Sequence, residues 1–92
     1  MEIKEEFWNP QKGDTIKGVY IKHISNAGRY NNNLYKIQVA DYEIKLIWSS
    51  SKLNDLMQHV EIGDKLSIQY NGKRQQENSE IKQYTVDVLE ND

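Results

Sequence analysis

Ninety-two residues with no cysteine and a net charge of -2 set narrow bounds on this chain. The length is that of one domain, the missing thiols exclude a disulfide framework and a thiolate metal site, and no apolar run is long enough to span a bilayer. The acidic balance speaks against a strongly basic nucleic-acid binder, but it is uneven: acidic residues gather at both ends, and between Gly13 and Leu89 ten basic residues stand against nine acidic ones.

A domain of this size buries a smaller share of its surface than a large one, so its ten isoleucines and nine aromatic residues are needed for the core. Residues 1–12 read as a lead-in that packs on the body of the domain. Met1 to Glu6 is acidic and precedes no apolar stretch, so it does not read as a signal peptide. Pro10 moves Asn9 away from helix. Phe7 and Trp8 are expected to plug one end of the domain, with an exposed stacking pair as the alternative.

Gly13-Asp14 is a tight turn opening a strand over Thr15–Ile24. Ile16 has one parity and Val19 and Ile21 the other, so Gly18 reads as a bend after which Val19 and Ile21 face inward and Tyr20 outward. Ser25–Asn33 reads as a polar loop. It is either a plain hairpin connection or a finger whose Tyr30 stacks a base while Arg29 meets phosphate. A second strand covers Leu34–Val39 and a third Tyr42–Trp48. The alternation is expected to point Lys36 and Lys45 away from the core on adjacent strands. Trp48, at a strand end, is placed outside despite sharing parity with core residues.

Ser51–His59 is the one helical stretch, with an apolar stripe of Leu53, Leu56, Met57 and Val60. Ser50 or Ser51 can cap it, without a full capping box. A helix this short needs tertiary packing, so it is expected to plug a barrel. Gly63-Asp64 opens a fourth strand, Lys65–Tyr70, with Leu66, Ile68 and Tyr70 inward. Gly72–Glu80 reads as a second polar loop holding Lys73-Arg74, the only adjacent basic pair. Ile81–Leu89 is the fifth strand, with Tyr84, Val86 and Val88 on one face, and residues 90–92 form an acidic end. The two Gly-Asp turns lie fifty residues apart with flanks that do not match further, so no internal repeat is read.

The order β-β-β-α-β-β in an all-β chain with one short helix is that of a five-stranded OB barrel over residues 13–89. Catalytic and metal chemistry is missing from the pattern. His23 and His59 are isolated, there is no nucleophile elbow or Gly-rich phosphate loop, and Ser49-Ser50-Ser51 reads as a helix start. A non-enzymatic chain without cofactor or metal is therefore expected. What remains is aromatic rings, lysines and amides, the residue types that sequence-tolerant single-strand binding uses. The expected contact residues are Tyr20, Arg29, Tyr30, Lys36, Lys45, Trp48, Lys73 and Arg74. Lys36 and Lys45 would form a floor and the two loops its walls.

Phe7-Trp8-Asn9-Pro10 before Gly13-Asp14 and Gly18, then Tyr35, Ile47-Trp48-Ser49-Ser50 before Leu53, resemble a group of small phage-encoded OB-fold proteins. Val60-Glu61-Ile62-Gly63-Asp64, Ile68 to Lys73 and Tyr84-Thr85-Val86 continue the likeness. Ser49 departs from it, standing where a glycine is more usual. The resemblance implies an OB barrel and, as partner, single-stranded DNA in a bacterial host cytoplasm. RNA and a host or phage replication protein are the other partners considered. A protein-interaction module, such as an inhibitor of a host factor, is the alternative reading.

Overall fold

The computed structural model describes residues 2–27 and 32–89. Its elements are β1 (Lys4–Phe7), β2 (Thr15–Ala27), β3 (Asn32–Ala40), β4 (Glu43–Trp48), α1 (Ser51–Met57), β5 (Lys65–Gln76) and β6 (Ser79–Val88). The fold is β-rich with one short helix. All six strands belong to one sheet in the order β1-β4-β3-β2-β5-β6. From β2 onward the expected strand and helix order holds. The lead-in adds a strand, β1, which pairs parallel to β4 from Lys4 opposite Glu43 to Phe7 opposite Leu46. Among the described residues no ladder joins β6 to β1 or β4, so the sheet is open and six-stranded where five strands in a closed barrel were expected.

The sheet curls because β2 serves two neighbours. Thr15–Val19 pairs with β5, and Val19–Ala27 pairs with β3. Gly18 sits at the crossing point, where a Cβ would collide with the carbonyl oxygen of Gln38 in β3. The glycine is there for close backbone approach, and the register irregularity falls later, between Tyr20 and Lys22. This corrects the inferred facing of β2. Ile16 and Tyr20 face the main core, while Ile21 packs on a separate cluster with Leu34, Ile44 and Leu46. Tyr20 is 5% exposed and meets Tyr35 edge-on, with ring centroids 6.0 Å apart.

The two Gly-Asp turns share one construction. In the first, the Asp14 amide donates to the Gln11 carbonyl at 2.9 Å and the Gln11 amide to Asp14 Oδ2 at 2.9 Å. In the second, the Asp64 amide donates to the Glu61 carbonyl at 3.0 Å and the Glu61 amide to Asp64 Oδ2 at 2.9 Å. Gly13 and Gly63 have φ of +96° and +103°, which the turns require. Each turn clamps a tyrosine of the opposite strand. Gly13 N donates to Tyr70 O and Tyr70 N to Asp14 O, just as Gly63 N donates to Tyr20 O and Tyr20 N to Asp64 O. The β2–β5 pair thus has a local twofold relation, built on Gly-Asp and a tyrosine six residues further on in each half.

The helix follows its stripe. Ser50 caps it, accepting from the Leu53 amide at 3.3 Å, and Leu53 and Met57 are buried in the main core with Val60. The second polar loop is instead a long hairpin: β5 runs on to Gln76 and β6 begins at Ser79. A bulge lies between Tyr70 and Lys73, where Gly72 takes φ +91° against the Lys12 side chain.

Candidate functional site

The two ends of the curled sheet approach each other across a cleft of about 510 Å³. Phe7, Trp8, Asn9 and Pro10 line one side with Ile47 and Trp48 of β4, and Tyr70, Lys73, Lys82 and Tyr84 of the β5–β6 hairpin line the other. Nearly every ring is fixed by a neighbour. Tyr70 and Tyr84 are cross-strand partners with centroids 5.4 Å apart, and Trp8 leans on Tyr84 at 6.5 Å. Burial, then the neighbouring Tyr70, pushes the Tyr84 phenol above its ordinary pKa, so that hydroxyl stays protonated at physiological pH. Trp48 is 42% exposed and Phe7 46%, and they stack at 5.6 Å with planes 12° apart. Large apolar rings left half in water at a cleft offer flat stacking surface.

The cations come from the hairpin. Lys73 stands directly opposite Lys82, a like-charge cross-strand pair that is unfavourable in isolation. Glu80 offsets it only in part, with an exposed ion pair to Lys73 at 3.4 Å, and Lys82 has no ion pair among the described residues. An anion seated between the two ammonium groups would relieve the repulsion. A second groove, of about 310 Å³ and lined by Lys17, Lys65 and Asp41 among others, contains no aromatic ring and so no stacking surface.

The residues anticipated as contacts are only partly brought together. Trp48 and Lys73 line the cleft, whereas Arg74 is exposed on the hairpin without lining it. Tyr20 was expected outside and is in the core, because Gly18 does not switch the parity of β2. Arg29 and Tyr30 lie outside the described residues. Lys36 is paired across strands with Leu46 and Lys45 with Ile37, so the two lysines point to opposite faces of the sheet. That corrects their shared floor. Both are also engaged, Lys36 with Glu5 at 3.0 Å and Lys45 with Glu6 at 3.1 Å and Glu43 at 3.5 Å. Glu6 is held below the usual carboxylate range by hydrogen bonds from Lys4 and Lys45 and by their charges.

Trp8, Tyr70, Tyr84 and Lys82 are cleft residues that sequence reasoning did not place there. Tyr70 was correctly read as inward, Tyr84 was read as sharing a face with Val86 and Val88 and is buried too, and the packing of the two tyrosines gives the cleft its wall. Of the lead-in aromatics, Trp8 packs on the core as expected, while Phe7 is the exposed one. His23 lies flat on Tyr35 at 4.9 Å, and no cluster of metal-ligating side chains occurs among the described residues. No protein-family model, curated protein or solved structure matches the chain.

Proposed function

We propose that the chain is a non-catalytic OB-type domain of phage or mobile-element origin that binds single-stranded DNA, acting in the bacterial cytoplasm. The OB-type reading is supported by the long β2 shared between two ladders and by the helix set between the third and fourth strands of the β2–β6 series. No helix among the described residues is long and apolar enough to cross a membrane. The observation that carries the function is the cleft itself, where the half-exposed Trp48 ring shares a cavity with the opposed Lys73 and Lys82. Rings stack on bases whatever their identity, and ammonium groups track the phosphates.

Anisotropy titration with labelled oligo-dT at two salt concentrations, against duplex DNA and single-stranded RNA, tests the reading. Three to four phosphate contacts predict a log-log salt slope of roughly -2 to -3. Preference for single-stranded RNA would change the ligand but keep the mechanism. Salt-insensitive binding would contradict it. Replacing Trp48 with alanine is expected to cost about 1–3 kcal/mol of binding if its ring stacks a base.

A protein-interaction module, such as an inhibitor of a host factor or a partner of a replication protein, is the second reading. The neutralisation of Lys36 and Lys45 by glutamates favours it, because it leaves less free positive charge on the sheet. Failure to bind any oligonucleotide at tens of micromolar protein would select it.

A further inference from the structure

β1 is a four-residue edge strand, exposed over most of its length. Strand alternation sends Glu5 and Glu6 to opposite faces of the sheet, and each reaches a lysine that is itself largely covered. The Glu5–Lys36 contact is 3.0 Å and the Glu6–Lys45 contact 3.1 Å, with lysine side chains 18% and 21% exposed. The next residue, Phe7, lies flat on Trp48. Two consecutive anions followed by a ring therefore rest on two cations and a ring, which is the chemistry a nucleic-acid strand presents to its binder.

We infer that β1 is a built-in competitor: it masks an extension of the nucleic-acid site along the β4 edge, made of Lys36, Lys45 and Trp48, and single-stranded DNA displaces it. The inference rests on the nucleic-acid reading above. Phosphates take the places of the Glu5 and Glu6 carboxylates, and a base takes the place of the Phe7 ring. Displacement stops at Trp8, whose amide donates to Leu46 O at 2.9 Å and whose ring packs on the core. What holds β1 is weak enough to exchange. It has one short ladder at the sheet edge, and ion pairs with partly exposed carboxylates stabilise little and are screened by salt.

The test uses the full chain with Glu5→Gln and Glu6→Gln combined, and Glu2→Gln with Glu61→Gln as a control making the same change in net charge. Neither control carboxylate forms an ion pair among the described residues. Oligo-dT is expected to bind the first variant about three- to tenfold more tightly than wild type, because the two ion pairs that compete for its lysines are gone. The control should stay within about twofold of wild type, because neither carboxylate is paired with Lys36 or Lys45 and exposed charges are screened. Phe7→Ala is expected to tighten binding as well, opposite in sign to Trp48→Ala. Amide exchange gives an independent readout: protection of residues 4–7 should fall when oligo-dT is added to the wild-type chain.

Wild-type affinity in the Glu5/Glu6 variant, an equal gain in the control, or β1 amides that gain protection would each overturn the inference and leave DNA binding standing. Failure of wild type and variants alike to bind would instead overturn the nucleic-acid reading, and the competitor with it.

Discussion

Tyr35 carries more constraints than any other polar side chain in the core. It is 4% exposed, its hydroxyl donates to Asn54 Oδ1 at 2.6 Å, and its ring lies between those of His23 and Tyr20. Burial, then the neighbouring Tyr20, pushes its phenol up to about 12, and burial raises Tyr20 and Tyr84 as well. A phenol whose folded pKa is raised contributes stability that is whole below the unfolded value of about 10 and is lost as pH rises through the folded one. The domain is therefore expected to lose stability between about pH 10 and 12. Absorbance titration should show Tyr20, Tyr35 and Tyr84 ionising above the ordinary phenol value of about 10; ionisation of all three at the ordinary value in the folded chain would contradict this. Gly18 makes the second residue-scale prediction. Its Cβ would meet backbone rather than a yielding side chain, so Gly18→Ala should destabilise by about 1–3 kcal/mol in denaturant unfolding. A neutral result would mean that β2 and β3 can part at the crossing without loss.

Elements were legible where a single segment carried its own pattern. The helix announces itself through Leu53, Leu56, Met57 and Val60 because one face of it meets the core. The β5–β6 hairpin beyond Gly72 does not, because Lys73 to Gln75 are exposed and polar residues in a solvated ribbon look like a loop. β1 is hidden for a related reason. Lys4-Glu5-Glu6-Phe7 has no apolar alternation, and its pairing partner lies about forty residues away in β4. The Gly-Asp turns were legible singly, but their relation appears only when β2 and β5 are set side by side. Since both aspartates accept from the amide three residues back, Asp14→Ala and Asp64→Ala should each cost about 1 kcal/mol, and by similar amounts. Loss at one turn alone would show that the two docking contacts are not equivalent. Ser50→Ala should likewise cost about 1 kcal/mol through loss of the helix cap.

At the scale of the molecule, the cleft arises because the sheet curls without joining its ends. Its cations and two of its five aromatic rings come from one hairpin, and the other three from β4 and the lead-in. Such a site is only partly visible in sequence. Trp48 and Lys73 could be singled out by residue type and position. Lys82 could not, because its value lies in standing opposite Lys73, a register set by the Asn71-Gly72 bulge. The shared floor of Lys36 and Lys45 failed for the same kind of reason, since parity within each strand does not say which residues face each other across the pair. Nucleic acid bound in this cleft would stack a base on Trp48. The most direct measurement is tryptophan fluorescence during addition of oligo-dT to the wild-type chain and to Trp48→Phe, in which Trp8 remains as the only reporter. Saturable, salt-sensitive quenching that largely disappears in Trp48→Phe is the predicted result. Equal quenching in both chains, or binding with no change in wild-type fluorescence, would show that no base stacks on Trp48 and would contradict this reading.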